Sequence, residues 1–343
     1  MPLELIADRP GNAVLREYEE RALEPHEARF RTLFSSVKHG TELRGFRSDT
    51  PDASERFDPD LRLHRRGQAA SDKFPMPLGN MCLGVVEDIG NAVDRVKPGD
   101  RVFGHMSIRE THSVSQKKLQ LAPENMSPQA LMYWDPTDFA VGAVRDAPIR
   151  LGDRVAVMGL GAIGQMIVQL ALLCGARSVI ASDPIALRRK GALHHGADIV
   201  YDPTTTDVGL AIKESSEKIG VDVAFETSGS YSALEDSLRA VKYAGTVVST
   251  AYYHGSKGLS LAGEWHRNRI NLISSRAVSS PLPQSGWNIA RVRSESLKLL
   301  CDGKIQADDL IVPIVSFAQV VDAYHEISAH PERSIKLGID HTL

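Results

Sequence analysis

Gly159-Leu160-Gly161-Ala162-Ile163-Gly164 stands between an apolar run, RVAVM, and a stretch whose apolar residues recur at helical spacing. Glycines at the first, third and sixth places suit a strand–turn–helix corner wrapped on a pyrophosphate. The first permits the tight turn, the second lets backbone approach the phosphates, and the third lets the helix pack on the strand. The helix N-terminus adds N–H groups and the positive end of a dipole. Nineteen residues after Gly164, Asp183 closes the next apolar run, SVIASD. That is close to the ~20-residue offset of an acid that accepts from the adenosine ribose hydroxyls. A carboxylate there repels a 2′-phosphate, so the spacing predicts NAD rather than NADP. Arg188, five residues on, argues the other way, since it can pair with a phosphate.

These residues need a layered α/β frame. After Gly152, β-branched runs alternate with amphipathic stretches: RVAVMG, SVIASD, DIVYD, VDVAFETSG and TVVSTA, separated by four helical segments. That alternation predicts βαβ units and a doubly wound parallel sheet, with NLISSRA as a sixth strand. A helix (ARVRSESLKLLCDG), a strand-like DLIVPIV, a second helix (FAQVVDAYHEISAH) and SIKLGID follow. The first 150 residues read as short strands with many turns and no long helical periodicity, hence a mostly β domain.

Composition excludes several classes. The 343 residues suit roughly two domains. With 40 Lys+Arg against 43 Asp+Glu, the chain is no globally basic nucleic-acid binder. Cys82, Cys174 and Cys301 are odd in number and far apart, which excludes a disulfide scaffold or a zinc ribbon and predicts buried core thiols. The uncharged stretch Val155–Ala176 approaches a membrane span in length, but its glycines cut it into strand, turn and helix. With no signal peptide visible, no membrane and a cytoplasmic protein are expected.

With VKPGDRVFG and GLGAIG in place, the chain resembles the medium-chain dehydrogenase/reductase family, in its zinc-type alcohol and polyol dehydrogenase branch. The resemblance implies a GroES-like catalytic β domain, residues 1–150 completed by 289–343, around a Rossmann NAD-binding domain, residues 151–288. It places Asp183 and Arg188 at the adenosine ribose, and Thr227, Ser228, Gly229, Thr250 and Ala251 along the nicotinamide half. It also implies a small-molecule substrate and a homodimer or homotetramer.

The departures from the family pattern bear on chemistry. Its Cys-Gly-Thr/Ser-Asp-x-His zinc motif is here His39-Gly40-Thr41-Glu42-Leu43-Arg44, and its Gly-His-Glu is Gly79-Asn80-Met81. The third ligand position matches Asp135. His39 and Asp135 are two credible ligands where a catalytic zinc normally has three, so no metal is expected. In a zinc-free site, Thr41 would hydrogen-bond the substrate oxygen and His39 would act as general base. Arg44 would supply positive charge where the relay histidine stood, and Glu42 would support its neighbours. The 39 positions from Gly40 to Gly79 exceed the family's usual interval. The extra stretch, about 48–70, carries Arg56, Arg62, His64, Arg65 and Arg66, with Lys73 after it. It is a solvated loop, or a lid for an anionic substrate group.

The expected function is an NAD-dependent dehydrogenase of a secondary alcohol on a polyol, sugar or cyclitol-like molecule. Two alternatives stand beside it: a zinc-free NAD(P)H-dependent ene or quinone-type reductase, and a catalytically silent NAD-binding protein.

Overall fold

In the first part of the chain, short runs broken by turn residues become antiparallel strands, as a half-buried sheet requires. The computed structural model describes residues 1–48, 55–66, 74–253, 259–276, 279, 281 and 286–343. The chain forms two compact units: one of Met1–Ala122, Ile314–Pro331 and Leu337–Leu343, the other of Pro123–Pro313 and Glu332–Lys336.

The first unit opens with β1 (Leu3–Arg9), β2 (Asn12–Glu17) and β3 (Glu27–Ser36), then a nine-residue helix, α1 (His39–Arg47). A small hairpin follows, β4 (Glu55–Asp58) and β5 (Leu63–Arg66), with Arg65 bonded to Asp58 at 2.6 Å and His64 edge-on to Phe57. This hairpin lies within the 48–70 insertion; Lys73 and residues 49–54 and 67–72 lie outside the described residues. Next come β6 (Met76–Pro77), β7 (Met81–Ile89), β8 (Arg101–Gly104), β9 (Thr111–Ser115) and β10 (Gln120–Leu121).

The second unit begins with α2 (Pro128–Met132), capped by the Ser127 hydroxyl, and α3 (Trp134–Asp146). These helices, with α1, correct the expectation of a stretch without long helices. The reason is burial on more than one side. α3 packs against α4 (Ala162–Leu173) and α9 (Ile289–Cys301), so Asp135, Thr137 and Asp138 are buried along with its apolar residues and no polar stripe marks a period. The sheet consists of β11 (Arg154–Met158), β12 (Ser178–Ser182), β13 (Ile199–Tyr201), β14 (Val221–Glu226), β15 (Val241–Ser249) and β16 (Asn271–Ser274). Helices α5 (Ala186–His194), α6 (Val208–Ser215), α7 (Tyr231–Ala240) and the short α8 (Glu264–Arg267) connect them.

All six strands are parallel in the order β13-β12-β11-β14-β15-β16, the doubly wound arrangement of a Rossmann fold. Strand order reverses between β11 and β14. Their ends are in register, Met158 opposite Ser182 on one side and Glu226 on the other. The sixth strand forms as the apolar run predicts. β15 starts at Val241 rather than at Thr246, because Val241 pairs with Val221 across an irregularity in the ladder.

The chain returns to the first unit through β17 (Ile314–Ser316), α10 (Val320–Ala329) and β18 (Gly338–Asp340). Only the end of DLIVPIV is strand, since Asp308–Leu310 forms a 3-10 turn. β18 pairs with β3 and completes the order β10-β8-β7-β3-β18-β17, while β2-β1-β6 forms a separate sheet. Between them a core of Leu5, Val37, Phe46, Leu78, Tyr324 and Ile339 fastens α1 and α10 to the strands. Truncating Phe46, 1% exposed, to alanine removes packing worth about 3–5 kcal/mol.

Cys82 is buried as expected, but Cys174 and Cys301 are exposed. Both sit at the C-terminal ends of helices, Cys174 capping α4 and Cys301 closing α9, where the packed face runs out. Among the described residues no helix is long and apolar enough to cross a membrane.

Candidate active site

The glycine fingerprint occupies the turn from β11 to α4, at the point where strand order reverses. Gly159 has φ +92°, which favours glycine, and a Cβ there would meet Ser228 at 2.9 Å. A Cβ on Gly164 would lie 2.0 Å from the Gly159 carbonyl oxygen. One on Gly161 would meet nothing within 4 Å. The outer two glycines are demanded by the protein's own packing, while the middle one borders open space. That is the cradle a pyrophosphate needs, at the N-terminus of the twelve-residue α4, next to Ala162 and Ile163.

Asp183 follows β12 and is 3% exposed. Its Oδ2 accepts the Leu160 N–H at 2.7 Å and its Oδ1 the Ile185 N–H at 2.8 Å. A carboxylate has about four acceptor positions, so capacity for ribose hydroxyls remains. The neighbouring cations are engaged. Arg188 donates to the Ser334 carbonyl at 3.3 Å and lies 3.9 Å from Asp183 Oδ2. Arg189 donates to the Asp183 carbonyl at 2.6 Å and pairs with Asp202 at 2.9 Å. Buried Gln165 donates to the carbonyls of Leu160 and Arg188, tying the turn to α5.

At the end of β14 the Thr227 hydroxyl donates to the Gly159 carbonyl at 2.6 Å. Thr250, after β15, donates to the Glu226 carbonyl through its N–H (2.9 Å) and its hydroxyl (3.1 Å), and Ala251 follows it. Ser228 and Gly229 donate to the Glu226 carboxylate. So Thr227–Gly229 and Thr250–Ala251 share one strand-end region with the fingerprint. Glu226, Tyr253 and Gln165 went unmarked in the sequence. The signal for Glu226 was there: an ionisable residue directly after the apolar Val223-Ala224-Phe225.

The other predicted group, His39, Thr41, Glu42 and Arg44, lies on α1 of the first unit. Thr41 is exposed in the first turn and Arg44 is half-buried. His39 Nε2 accepts the Leu337 N–H at 3.0 Å. The neutral ring then carries its proton on Nδ1, and a general-base role would require that bond to break. Glu42 Oε1 accepts from the Gly79 N–H and the Tyr324 hydroxyl, both at 2.8 Å, and Oε2 accepts from the Lys38 N–H at 3.2 Å. Burial and the neighbouring Glu42 push the Tyr324 hydroxyl far above its ordinary pKa, so it acts as a donor. Asp135 belongs to the second unit, buried in the first turn of α3.

The donors do not fit a tetrahedral zinc. His39 Nε2 is taken by an amide, and Met81 is fully buried. The Cys82 thiol, pushed far up by burial, donates to the Ser107 carbonyl at 3.0 Å. Asn80 offers an amide, a poor zinc ligand, whose Nδ2 is buried without a partner. Among the described residues no three His, Cys, Asp or Glu side chains are grouped to hold a metal ion.

A Rossmann sheet with this cradle, together with a GroES-like β unit, defines an oxidoreductase that uses a nicotinamide cofactor on a small molecule. The chain belongs to the medium-chain dehydrogenase/reductase family: the alcohol dehydrogenase GroES-like domain matches residues 54–131 and the zinc-binding dehydrogenase family residues 162–288. It is 39% identical to D-guloside 3-dehydrogenase of Escherichia coli (strain K12) over 345 residues, covering 98% of this chain and 99% of that protein. Two solved structures share the fold. One, from Sinorhizobium meliloti 1021, is assigned to the zinc-binding dehydrogenases and bound to NADP (TM-score 0.79, 22% identity, 99% of both chains). The other is a short chain alcohol dehydrogenase of E. coli CFT073 complexed with NADH (TM-score 0.76, 18% identity, 99% of both chains).

Proposed function

We propose that this chain is an NAD-dependent dehydrogenase that oxidises a secondary ring hydroxyl of a sugar glycoside or related polyol, without a catalytic zinc. The cradle at Gly159–Gly164, bonded to Asp183, carries the dehydrogenase reading. The full-length likeness to D-guloside 3-dehydrogenase supports the substrate class. NAD is favoured over NADP because a 2′-phosphate would face the Asp183 carboxylate, while Arg188 and Arg189 are already bonded within the protein.

When bound, the cofactor would supply the acceptor for the hydride of the carbinol carbon. The oxygen of that carbon then needs donors where its proton leaves. Thr41, exposed in the first turn of α1, offers a hydroxyl that takes the alcohol proton as it gives its own to solvent, and Arg44 offers fixed positive charge one turn on. His39 enters as a donor through Nδ1–H rather than as the base, since Leu337 holds Nε2. Glu42 holds α1 in place through Gly79 and Tyr324. In this reading residues 1–150 and 289–343 form the catalytic domain around the NAD-binding residues 151–288, and the chain works as a homo-oligomer.

Incubating the purified protein with NAD and a panel of hexosides, free hexoses and polyols, followed at the NADH absorbance, tests the reading. Reduction of NAD by at least one hexoside is expected. NADPH oxidation by enones or quinones, with no alcohol turned over, would establish the reductase alternative. NADH binding with no turnover of anything would establish the silent protein.

A further inference from the structure

Glu226 closes β14 with 0% exposure. Its Oε1 accepts from the Ser228 N–H at 2.7 Å, the Ser228 hydroxyl at 2.5 Å and the Gly229 N–H at 3.0 Å. Its Oε2 accepts from the Tyr253 hydroxyl at 2.5 Å, and that hydroxyl in turn accepts from Ser249 Oγ at 3.0 Å. Every partner donates, which is the environment of an ionised carboxylate. Every partner is also neutral, and among the described residues no ion pair to Glu226 forms. Burial pulls its pKa upward against these hydrogen bonds.

A buried charge with no counter-ion is costly, and such groups cluster where a ligand completes them. The cost here is offset only by neutral donors, the Ser228 and Gly229 amides leading into α7 and the Ser228 and Tyr253 hydroxyls. The position is equally specific. Glu226 lies opposite Met158, whose strand runs into the fingerprint. Its carbonyl accepts from Thr250, so one residue links both strand-end segments assigned to the nicotinamide half. The oxidised nicotinamide ring is a cation and the reduced ring is neutral. A fixed charge beside it therefore acts on the two forms differently.

We propose that Glu226 and Tyr253 are positioning residues for the nicotinamide half of the cofactor, and that the Glu226 carboxylate favours the oxidised over the reduced form. Tyr253 latches the segment after β15 onto the carboxylate, and the carboxylate holds Ser228 and Gly229 against Gly159. The inference rests on the cofactor reading given above.

Equilibrium titration tests it, with NADH followed by its fluorescence and NAD by competition. In Glu226→Gln the ratio of Kd for NADH to Kd for NAD should fall by about three- to tenfold, as the oxidised form loses its counter-charge. Glu226→Asp, which keeps the charge, should hold the wild-type ratio. Tyr253→Phe should weaken both forms by a similar factor and leave the ratio unchanged. A wild-type ratio in Glu226→Gln overturns the electrostatic part. If that variant does not fold, Tyr253→Phe decides, and affinities within about twofold of wild type overturn the proposal. A wild-type chain that binds neither form overturns the cofactor reading itself, and the inference with it.

Discussion

The Leu160 amide donates to Oδ2 of Asp183 at 2.7 Å, joining the glycine-rich turn to the acid at the end of β12. This bond fixes the carboxylate on the same backbone that approaches the pyrophosphate. In the proposed reading, cofactor choice and cofactor placement are thereby one structural feature.

Asp183→Asn should keep much of this geometry while removing the charge. NADP use should then rise relative to NAD by about 10- to 100-fold, the scale of a lost like-charge contact. Ratios of kcat/KM for the two cofactors measure it. A wild-type enzyme that already prefers NADP would show that Arg188 outweighs Asp183.

Purified protein should contain far less than one zinc per chain and should retain turnover in chelator. The basis is the engaged His39 Nε2, the buried Met81 and the amide at Asn80. Elemental analysis near one zinc per chain, with turnover lost on chelation, would show that the donors rearrange around a metal.

His39→Ala and Thr41→Val should each lower kcat by about 10²–10³, as expected for removing a donor to a developing oxyanion, while the NADH Kd stays near wild type. The acid limb of the pH–rate profile should survive in His39→Ala, since Nε2 already accepts from Leu337. Loss of that limb would mean that the ring turns away from Leu337 and serves as the base.

Stability should decline on acidification because burial lowers the pKa of three histidines, His112, His195 and His341. Burial holds His112 at about 3 and His341 at about 4. Below about pH 6.5 the unfolded chain takes up protons that the folded chain refuses, so each site destabilises the fold as pH falls toward its native value. The slope is about 1.4 kcal/mol per pH unit for each group. Denaturant unfolding between pH 7 and 4.5 should show it, and His341→Gln should make the slope shallower. An unchanged slope in that variant would place the acid sensitivity elsewhere.

Removing the Tyr324 hydroxyl with Tyr324→Phe should cost about 1.5–3 kcal/mol, the usual worth of a buried bond to a charged acceptor. A melting temperature within a degree of wild type would show that Glu42 is satisfied without it.

The sequence by itself determined the Rossmann sheet, its glycine fingerprint and the acid that follows β12, because all three are local. Strand period, glycine placement and the offset to Asp183 are written within one stretch of chain. It also marked α1 and the entry to β7 as unusual, through His39, Asn80 and Met81 at family motif positions. What it could not carry were relationships between segments far apart. α3 escaped notice because it is buried among other helices and shows no polar face. Cys174 and Cys301 looked like core residues because their neighbours are apolar, although each stands where its helix leaves the core. Only the tertiary structure brought the Leu337 amide to His39, Tyr324 to Glu42 and Tyr253 to Glu226. Each of those contacts sets a proton or a charge, and each spans a separation that only the packing of the whole unit determines.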